Sequence, residues 1–239
     1  MDSAAHTASR PSELSESDRK ILADYWRSRG EGEMGAELFF VRLLDDLRVL
    51  GAAGPLLKLG ERCRRDERKH GLWGRDWAVC FGHPDVSDPV AQRTRALTFP
   101  RAGERDNRLL RITFAALTES CGCQVLLDIR PRITFEPLRK NNQLHLADEV
   151  VHARLAWAFL TTLSASDRRL IERYVPLLLR LLPQVVCDGP ESDDYDYLVP
   201  WGYLTPSVLR AAHQRALVEV IEPGLEYLGI APASRRRTA

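Results

Sequence analysis

The sequence lacks an excess of charge of either sign. Its 34 Lys and Arg residues nearly cancel its 33 Asp and Glu residues, which leaves a formal net charge of +1. A balanced chain has no global field that would attract nucleic acid or an anionic membrane surface. We therefore expect no nucleic-acid and no membrane partner, and any ligand must be inferred from a local site.

Long apolar runs are also missing. No segment reaches the roughly 18 uninterrupted apolar residues of a membrane span, and residues 1–11 contain no apolar core of signal-peptide length. The five cysteines are an odd number without zinc-ribbon spacing, and Cys121 and Cys123 are too close for an ordinary structural disulfide. Free thiols in a reducing compartment are the simplest interpretation, so we expect a cytoplasmic protein.

No strand hairpin is recognisable, so the sequence predicts an all-α fold. Apolar residues at three- and four-residue steps predict successive helices at about 15–29, 33–50, 55–81, 107–129, 138–163, 165–182 and 206–228. The proline-containing stretch 83–106 is expected to be a long connection, and the acidic stretch 187–200 a surface loop or lid. Residues 1–12 are expected to be disordered, 13–230 to form one domain, and 231–239 to be a mobile basic tail.

Two copies of one metal-ligand pattern lie the same distance apart. Each member of the second copy follows its counterpart by 82 positions, as in 119 minus 37 and 152 minus 70. The first copy is Glu37, Asp66, Glu67 and His70, and the second is Glu119, Asp148, Glu149 and His152.

This repeat suits a pair of metal ions held inside a helical bundle. Residues three apart lie on the same side of a helix, so Glu67 with His70 and Glu149 with His152 can each offer an oxygen and a nitrogen. One further carboxylate from each partner helix completes the ligand set of di-iron and di-manganese bundles. Glu31 and Glu33 could replace Glu37 on the first helix, but only Glu37 obeys the repeat.

The aspartates before the two Glu-x-x-His pairs are candidates for orienting the metal ligands. A ligating histidine usually donates its other N–H to a carboxylate. We expect a crossed arrangement in which Asp148 orients His70 and Asp66 orients His152. A role as simple exposed charges remains the alternative for both aspartates.

The repeat could also consist of solvated charges on amphipathic helices. A lone Glu with a His three residues later usually has that meaning. Here two such pairs occur in matched register with two further glutamates, and Glu119 lies in a stretch that is apolar on most sides. An ionised carboxylate there would be costly without a cation, so the pattern favours metal binding.

His145 lies four residues before Glu149, on the same helix face, and could provide a third nitrogen ligand. The run from Pro131 through Arg139 and Asn141 to His145 and the Asp-Glu-x-x-His pattern resembles the last ligand helix of the di-iron N-oxygenases typified by p-aminobenzoate N-oxygenase. A surface or orienting histidine near a helix start is the alternative for His145.

The resemblance implies a ferritin-like four-helix bundle with additional N- and C-terminal helices. It implies two Fe ions, with Fe/Mn left open, O2 as co-substrate, and oxidation of an amine nitrogen through a peroxo state of the metals. A small-molecule substrate and an external electron donor such as a ferredoxin or flavin reductase would be the partners; a homodimer is left open. Cys123, one turn after Glu119, is either a wall of the oxygen or substrate pocket or a small buried filler.

Other functions remain open from the sequence. A C–H hydroxylase or an aldehyde-deformylating oxygenase would use the six repeated ligands without His145. A ferritin-like iron-handling protein without catalysis is a further alternative, although storage proteins usually lack the second complete Glu-x-x-His pair. The sequence does not identify the substrate.

Overall fold

The described residues form helices and contain no strand. A computed structural model describes residues 10–91, 97–186 and 192–231, and the all-α prediction is confirmed over these ranges. The α-helices are α1 (Glu16–Val49), α2 (Gly54–Cys80), α3 (Glu104–Ile129), α4 (Glu136–Thr161), α5 (Ala165–Val186), α6 (Pro206–Ala216) and α7 (Glu222–Tyr227). The predicted disordered N-terminus and basic tail lie almost entirely outside these ranges, as does Cys187.

Helix α1 is one continuous helix of 34 residues, whereas the sequence pattern predicted two. It begins after Ser15, whose hydroxyl accepts the backbone N–H of Asp18 at 3.1 Å. The pattern breaks near Gly30 because glycine weakens a helix. The structure keeps the helix intact there because Gly30 packs directly against α2, where a Cβ atom would lie 2.8 Å from the carbonyl oxygen of Gly71.

Helices α1 to α4 form a four-helix bundle. Helix α1 packs along α2 and α3 along α4, and the two pairs meet through α1–α3 and α2–α4 contacts. The pairings of Trp77 with Asn141 and of His70 with Asp148 show that α2 and α4 run antiparallel. Helices α2 and α3 therefore lie diagonally and parallel, and a long connection such as the one predicted at 83–106 is needed to join them.

Helix α3 is the core helix of the bundle. By length and composition alone the stretch Glu104–Arg132 could cross a membrane, but 67% of its most apolar window is buried inside the protein. A core helix that is covered by its neighbours explains this apolar character, as expected for a soluble protein. A buried ion pair holds α3 to α1, with Arg111 donating to Asp46 at 2.7 and 2.8 Å.

The segment after residue 191 is not a surface loop, contrary to the sequence expectation. A 3₁₀-helix at Asp196–Trp201 buries Leu198, Val199 and Trp201 against the start of α1. The helix predicted over about 206–228, with a bend or an end at Pro223, continues past Pro223. Residues Leu217–Ile221 form a π-helical turn just before Pro223, which has no N–H to donate, and α7 then continues.

Candidate metal centre

Two groups of potential metal ligands meet inside the bundle. We call Glu33, His70 and His145 the first ligand group, and Glu67, Glu119, Glu149 and His152 the second ligand group. Within each group, the ligand atoms lie within 4.8 Å of one another. The four helices of the bundle all contribute, since Glu33 lies on α1 and Glu119 on α3.

Glu149 stands between the two groups. Its Oε1 atom is 3.1 Å from Nε2 of His145, 3.4 Å from Nδ1 of His70 and 3.5 Å from Nδ1 of His152. One carboxylate oxygen therefore contacts a nitrogen of every histidine in both groups. This is the position of a carboxylate that could bridge two metal ions.

Several buried polar atoms of the centre make no hydrogen bond with any described residue. These atoms are Oε2 of Glu67, Nδ1 of His70, and both ring nitrogens of His152. His152 Nδ1 lies only 2.8 Å from Oε1 of Glu67, but without the angles of a hydrogen bond. Unpaired buried polar atoms are rare in folded proteins, and here they converge on one region. A bound cation would satisfy the Glu67 oxygen and the two Nδ1 atoms, whereas Nε2 of His152 faces Asp66.

The pKa values of the histidines reflect the carboxylates around them. Burial lowers the pKa of His70, but contacts with Glu149 and Glu67 outweigh burial and raise it to about 10. Burial likewise lowers the pKa of His152, and the same two carboxylates raise it to about 12. Without a metal ion, protons on these histidines supply the positive charge that the carboxylates require.

The carboxylates of the second ligand group also shift strongly. Burial and then the charge of Glu149 raise the pKa of Glu67 and of Glu119. Burial raises the pKa of Glu149 as well, but its three histidine contacts outweigh burial and hold the pKa well below its usual range. Together with Glu33, these residues place four carboxylates in the centre. Two divalent cations would balance four ionised carboxylates, so the donor set fits a metal pair.

The structure does not bring Glu37 into either ligand group. The Glu37 carboxylate instead accepts a hydrogen bond from Arg64 at 2.7 Å. Glu33, one turn earlier on α1, takes the place for which Glu37 was predicted, and it accepts a hydrogen bond from Arg29 at 2.8 Å. The 82-residue repeat does not extend to Arg64, the partner of Glu37, because the position 82 residues later on α4 is Leu146.

Asp66 and Asp148 lie behind the histidines of the opposite helix. Oδ2 of Asp148 is 3.3 Å from Nε2 of His70, and Oδ2 of Asp66 is 3.8 Å from Nε2 of His152. Asp148 and His70 are within hydrogen-bond distance, whereas Asp66 and His152 are only within ion-pair distance. Because the Nε2 atoms face the aspartates, the Nδ1 atoms of both histidines face the centre of the bundle.

A cavity leads to the first ligand group. The cavity has a volume of about 30 Å³, and His145, His70 and Glu33 are among its lining residues. The His70 and His145 ring centroids lie 3.8 Å apart, with the ring planes tilted by 40°. Its walls are mainly apolar and aromatic, and they include Tyr25, Trp26, Trp73, Leu126, Ile129, Leu138 and Leu204. Two of its lining residues, Leu126 and Ile129, belong to α3, and most of the others belong to α1, α2 and α4.

Cys123 does not line this cavity. Burial and the nearby charge of Glu149 raise the pKa of its thiol, so the thiol is neutral at physiological pH. Cys63, Cys80 and Cys121 likewise form no disulfide in the described part of the chain. Cys123 is half-buried and lies near Glu119 and Glu149 of the second ligand group.

Three glycines that sequence reasoning did not single out position the first ligand group. A Cβ atom on Gly74 would lie 2.5 Å from Cα of Gly30, and one on Gly71 would clash with the side chain of Met34. The backbones of α1 and α2 therefore touch at the level of Glu33 and His70. The available signal was the spacing of Gly71 and Gly74, one turn apart on the predicted helix 55–81, because small residues allow close helix contact.

No protein-family model, curated protein or solved structure matches this chain. The function of the protein must therefore be inferred from the ligand groups and the cavity.

Proposed function

We propose that this protein is a ferritin-like, O2-dependent di-iron oxygenase that oxidises an amine nitrogen of a small metabolite. The observation that carries the proposal is the convergence of two ligand groups on Glu149, with buried nitrogen and carboxylate atoms that lack hydrogen-bond partners. A bundle with one long crossover and a Glu-x-x-His pair on each of two facing helices is the typical setting of such centres.

The donor set supports iron, with manganese as the alternative second metal. Three imidazoles and four carboxylates are borderline to hard ligands, and no thiolate belongs to either group. When bound, the metal pair would supply the redox chemistry with O2 as co-substrate. An external electron donor such as a ferredoxin or flavin reductase is part of the proposal. The chain holds the ligands and shields them from water.

The cavity supports a catalytic function over iron storage. It borders the first ligand group, and a substrate that enlarges it would lie beside His145. Arg29 and Asn142 are polar residues in an otherwise mostly apolar lining. Arg29 is paired with Glu33 at 2.8 Å, so the mostly apolar lining, rather than a free charge, favours an amine on an apolar body.

His145 favours amine oxidation over the alternatives. A C–H hydroxylase or an aldehyde-deformylating oxygenase needs only the six ligands of a standard di-iron bundle. Here His145 belongs to the first ligand group and lines the cavity. Its ring centroid lies 3.8 Å from that of His70, and its Nε2 atom contacts Glu149. A seventh ligand at the substrate side is the feature that the N-oxygenases add.

The test uses the iron-loaded protein with O2, a chemical reductant, and parallel panels of amines and aldehydes. Mass spectrometry should detect hydroxylamine or nitro products from an amine. Replacing His145 with Ala should abolish these products while iron content stays largely intact, and His83→Ala, outside both groups, should behave as wild type. Oxidation of aldehydes or C–H bonds alone, or unchanged amine turnover in His145→Ala, would overturn the assignment.

A further inference from the structure

The aspartates behind the two metal-ligand histidines share one lysine. Nζ of Lys69 is 3.0 Å from Oδ1 of Asp66 and 2.6 Å from Oδ2 of Asp148. Asp66 lies on α2 and Asp148 on α4, so a single ammonium group joins the two helices that carry the Glu-x-x-His pairs. No counterpart of Lys69 exists on α4, because the position 82 residues later is Val151.

We propose that Lys69 is a positioning residue that holds the histidine ligands of both metal ions at once. The proposal rests on the proposed metal pair. Oδ2 of Asp148 contacts both Lys69 and Nε2 of His70, while Asp66 faces Nε2 of His152. Fixing the two carboxylates keeps an acceptor behind each imidazole, and this leaves each Nδ1 atom free to bind a metal.

Charge repulsion explains why such a residue is needed. Asp66 and Asp148 both touch the same ammonium, so their carboxylates are close to each other and to the carboxylates of the centre. The two aspartates are mostly buried, with side chains 14% and 13% exposed. Without a shared cation the aspartates would move apart, and His70 and His152 would lose their orientation together.

The position of Lys69 is itself restrained. Its ammonium lies 5.1 Å from the centre of the Trp73 ring, which is a cation–π distance, and Trp73 in turn packs against His70. Arg62 also reaches both aspartates, but at 3.4 and 3.5 Å from a half-exposed side chain. We therefore expect Arg62 to contribute less than Lys69.

The test compares Lys69→Met, Lys69→Arg and Lys58→Met, using Co(II) as the probe metal on the full chain. Lys58→Met removes an exposed lysine of the same helix as a control. In Lys69→Met we expect both Co(II) ions to bind about tenfold to a hundredfold more weakly, with altered visible absorption bands. Lys69→Arg should restore most of the affinity and the spectrum, and Lys58→Met should match wild type.

Two further variants separate the shared role from a local one. Asp148→Asn should weaken mainly the ion bound by His70, and Asp66→Asn the ion bound by His152, whereas Lys69→Met weakens both. Wild-type affinity and spectrum in Lys69→Met, weakening of one ion only, or a change confined to thermal stability would overturn the inference. A wild-type chain that binds no Co(II) would instead defeat the proposed function and the inference with it.

Discussion

The two ligand groups differ in how they face the rest of the molecule. The first ligand group, with Glu33 and His145, forms the end of a cavity. The second ligand group is closed, since Phe40 packs edge-on against His152 and Cys63 is fully buried nearby. Under the proposed function, this difference predicts that the open group meets the substrate and the closed group holds its metal away from solvent.

The largest effect is expected from the residue that both groups share. Replacing Glu149 with the isosteric Gln removes the charge that contacts all three histidines, so both groups should fail together. We expect metal content to fall from two ions per chain to less than one, measured by mass spectrometry of the metal-loaded protein. Retention of one ion would show that the two groups bind their ions independently and do not share Glu149.

Replacing a carboxylate that belongs to one group alone should remove only the metal ion of that group. Glu33→Ala should remove the ion of the open group, and Glu119→Ala the ion of the closed group, so each variant keeps about half of its metal. Glu37→Ala is the matched control, because its partner is Arg64 and it belongs to neither group. If Glu37→Ala loses an ion while Glu33→Ala keeps both, the repeat was correct and the geometry assigned to α1 is wrong.

Metal binding should tighten as pH rises. In the metal-free protein, His70 and His152 have pKa values raised to about 10 and about 12, so both hold protons at neutral pH. A metal ion must displace these protons, and each displaced proton makes affinity change about tenfold per pH unit. Titrations with Mn(II) at pH 6.5 and 7.5 should show the increase in both groups. An affinity independent of pH would mean that the histidines are not ligands.

The close contact of α1 and α2 should matter for the open group alone. In Gly74→Ala the new methyl group would lie 2.5 Å from the backbone of Gly30, so α1 must move away together with Glu33. We expect a loss of about 2 kcal/mol in the free energy of unfolding, typical of overpacking, and weaker binding of one ion. Denaturant unfolding and metal titration measure the two effects.

Gly32→Ala is the control for this prediction. Gly32 has open space around it, so alanine there should be neutral or slightly stabilising. An equal loss of stability in both variants would show that the close contact of Gly74 with Gly30 is not the cause.

The smallest effect concerns the cavity. Asn142 lies three residues before His145, is mostly buried, and its Oδ1 atom has no hydrogen-bond partner among the described residues. An amine N–H could donate to this oxygen. Asn142→Leu should raise the KM for an amine substrate about tenfold with little change in kcat, because a buried hydrogen bond is lost on binding. A fall in kcat at constant KM would place Asn142 elsewhere in the reaction.

The all-helical fold could be predicted because the apolar spacing is local information. The paired ligands on α2 and α4 were also accessible, since a Glu and a His three residues apart must share a helix face. The choice between Glu33 and Glu37 was not accessible. It depends on how closely α1 approaches α2 at Gly30 and on the competing Arg64, which are properties of packing between helices.

The burial of Asp196–Trp201 could not be predicted for a similar reason. Its acidic neighbours suggested a surface loop, but Trp26 donates to the carbonyl oxygen of Trp201 at 3.4 Å, and Tyr25 accepts the N–H of Leu204 at 3.3 Å. These contacts connect residues far apart in the sequence. Gly202 and Leu204, which follow this segment directly, line the cavity.

Electron paramagnetic resonance of the iron-loaded, air-oxidised protein, with iron counted in the same sample, tests the central claim most directly. We expect about two iron atoms per chain and almost no signal from isolated ferric ions, because a carboxylate in the position of Glu149 would couple the spins of the two ions. One iron per chain, or two with the full signal of isolated ferric ions, would contradict a shared di-iron centre.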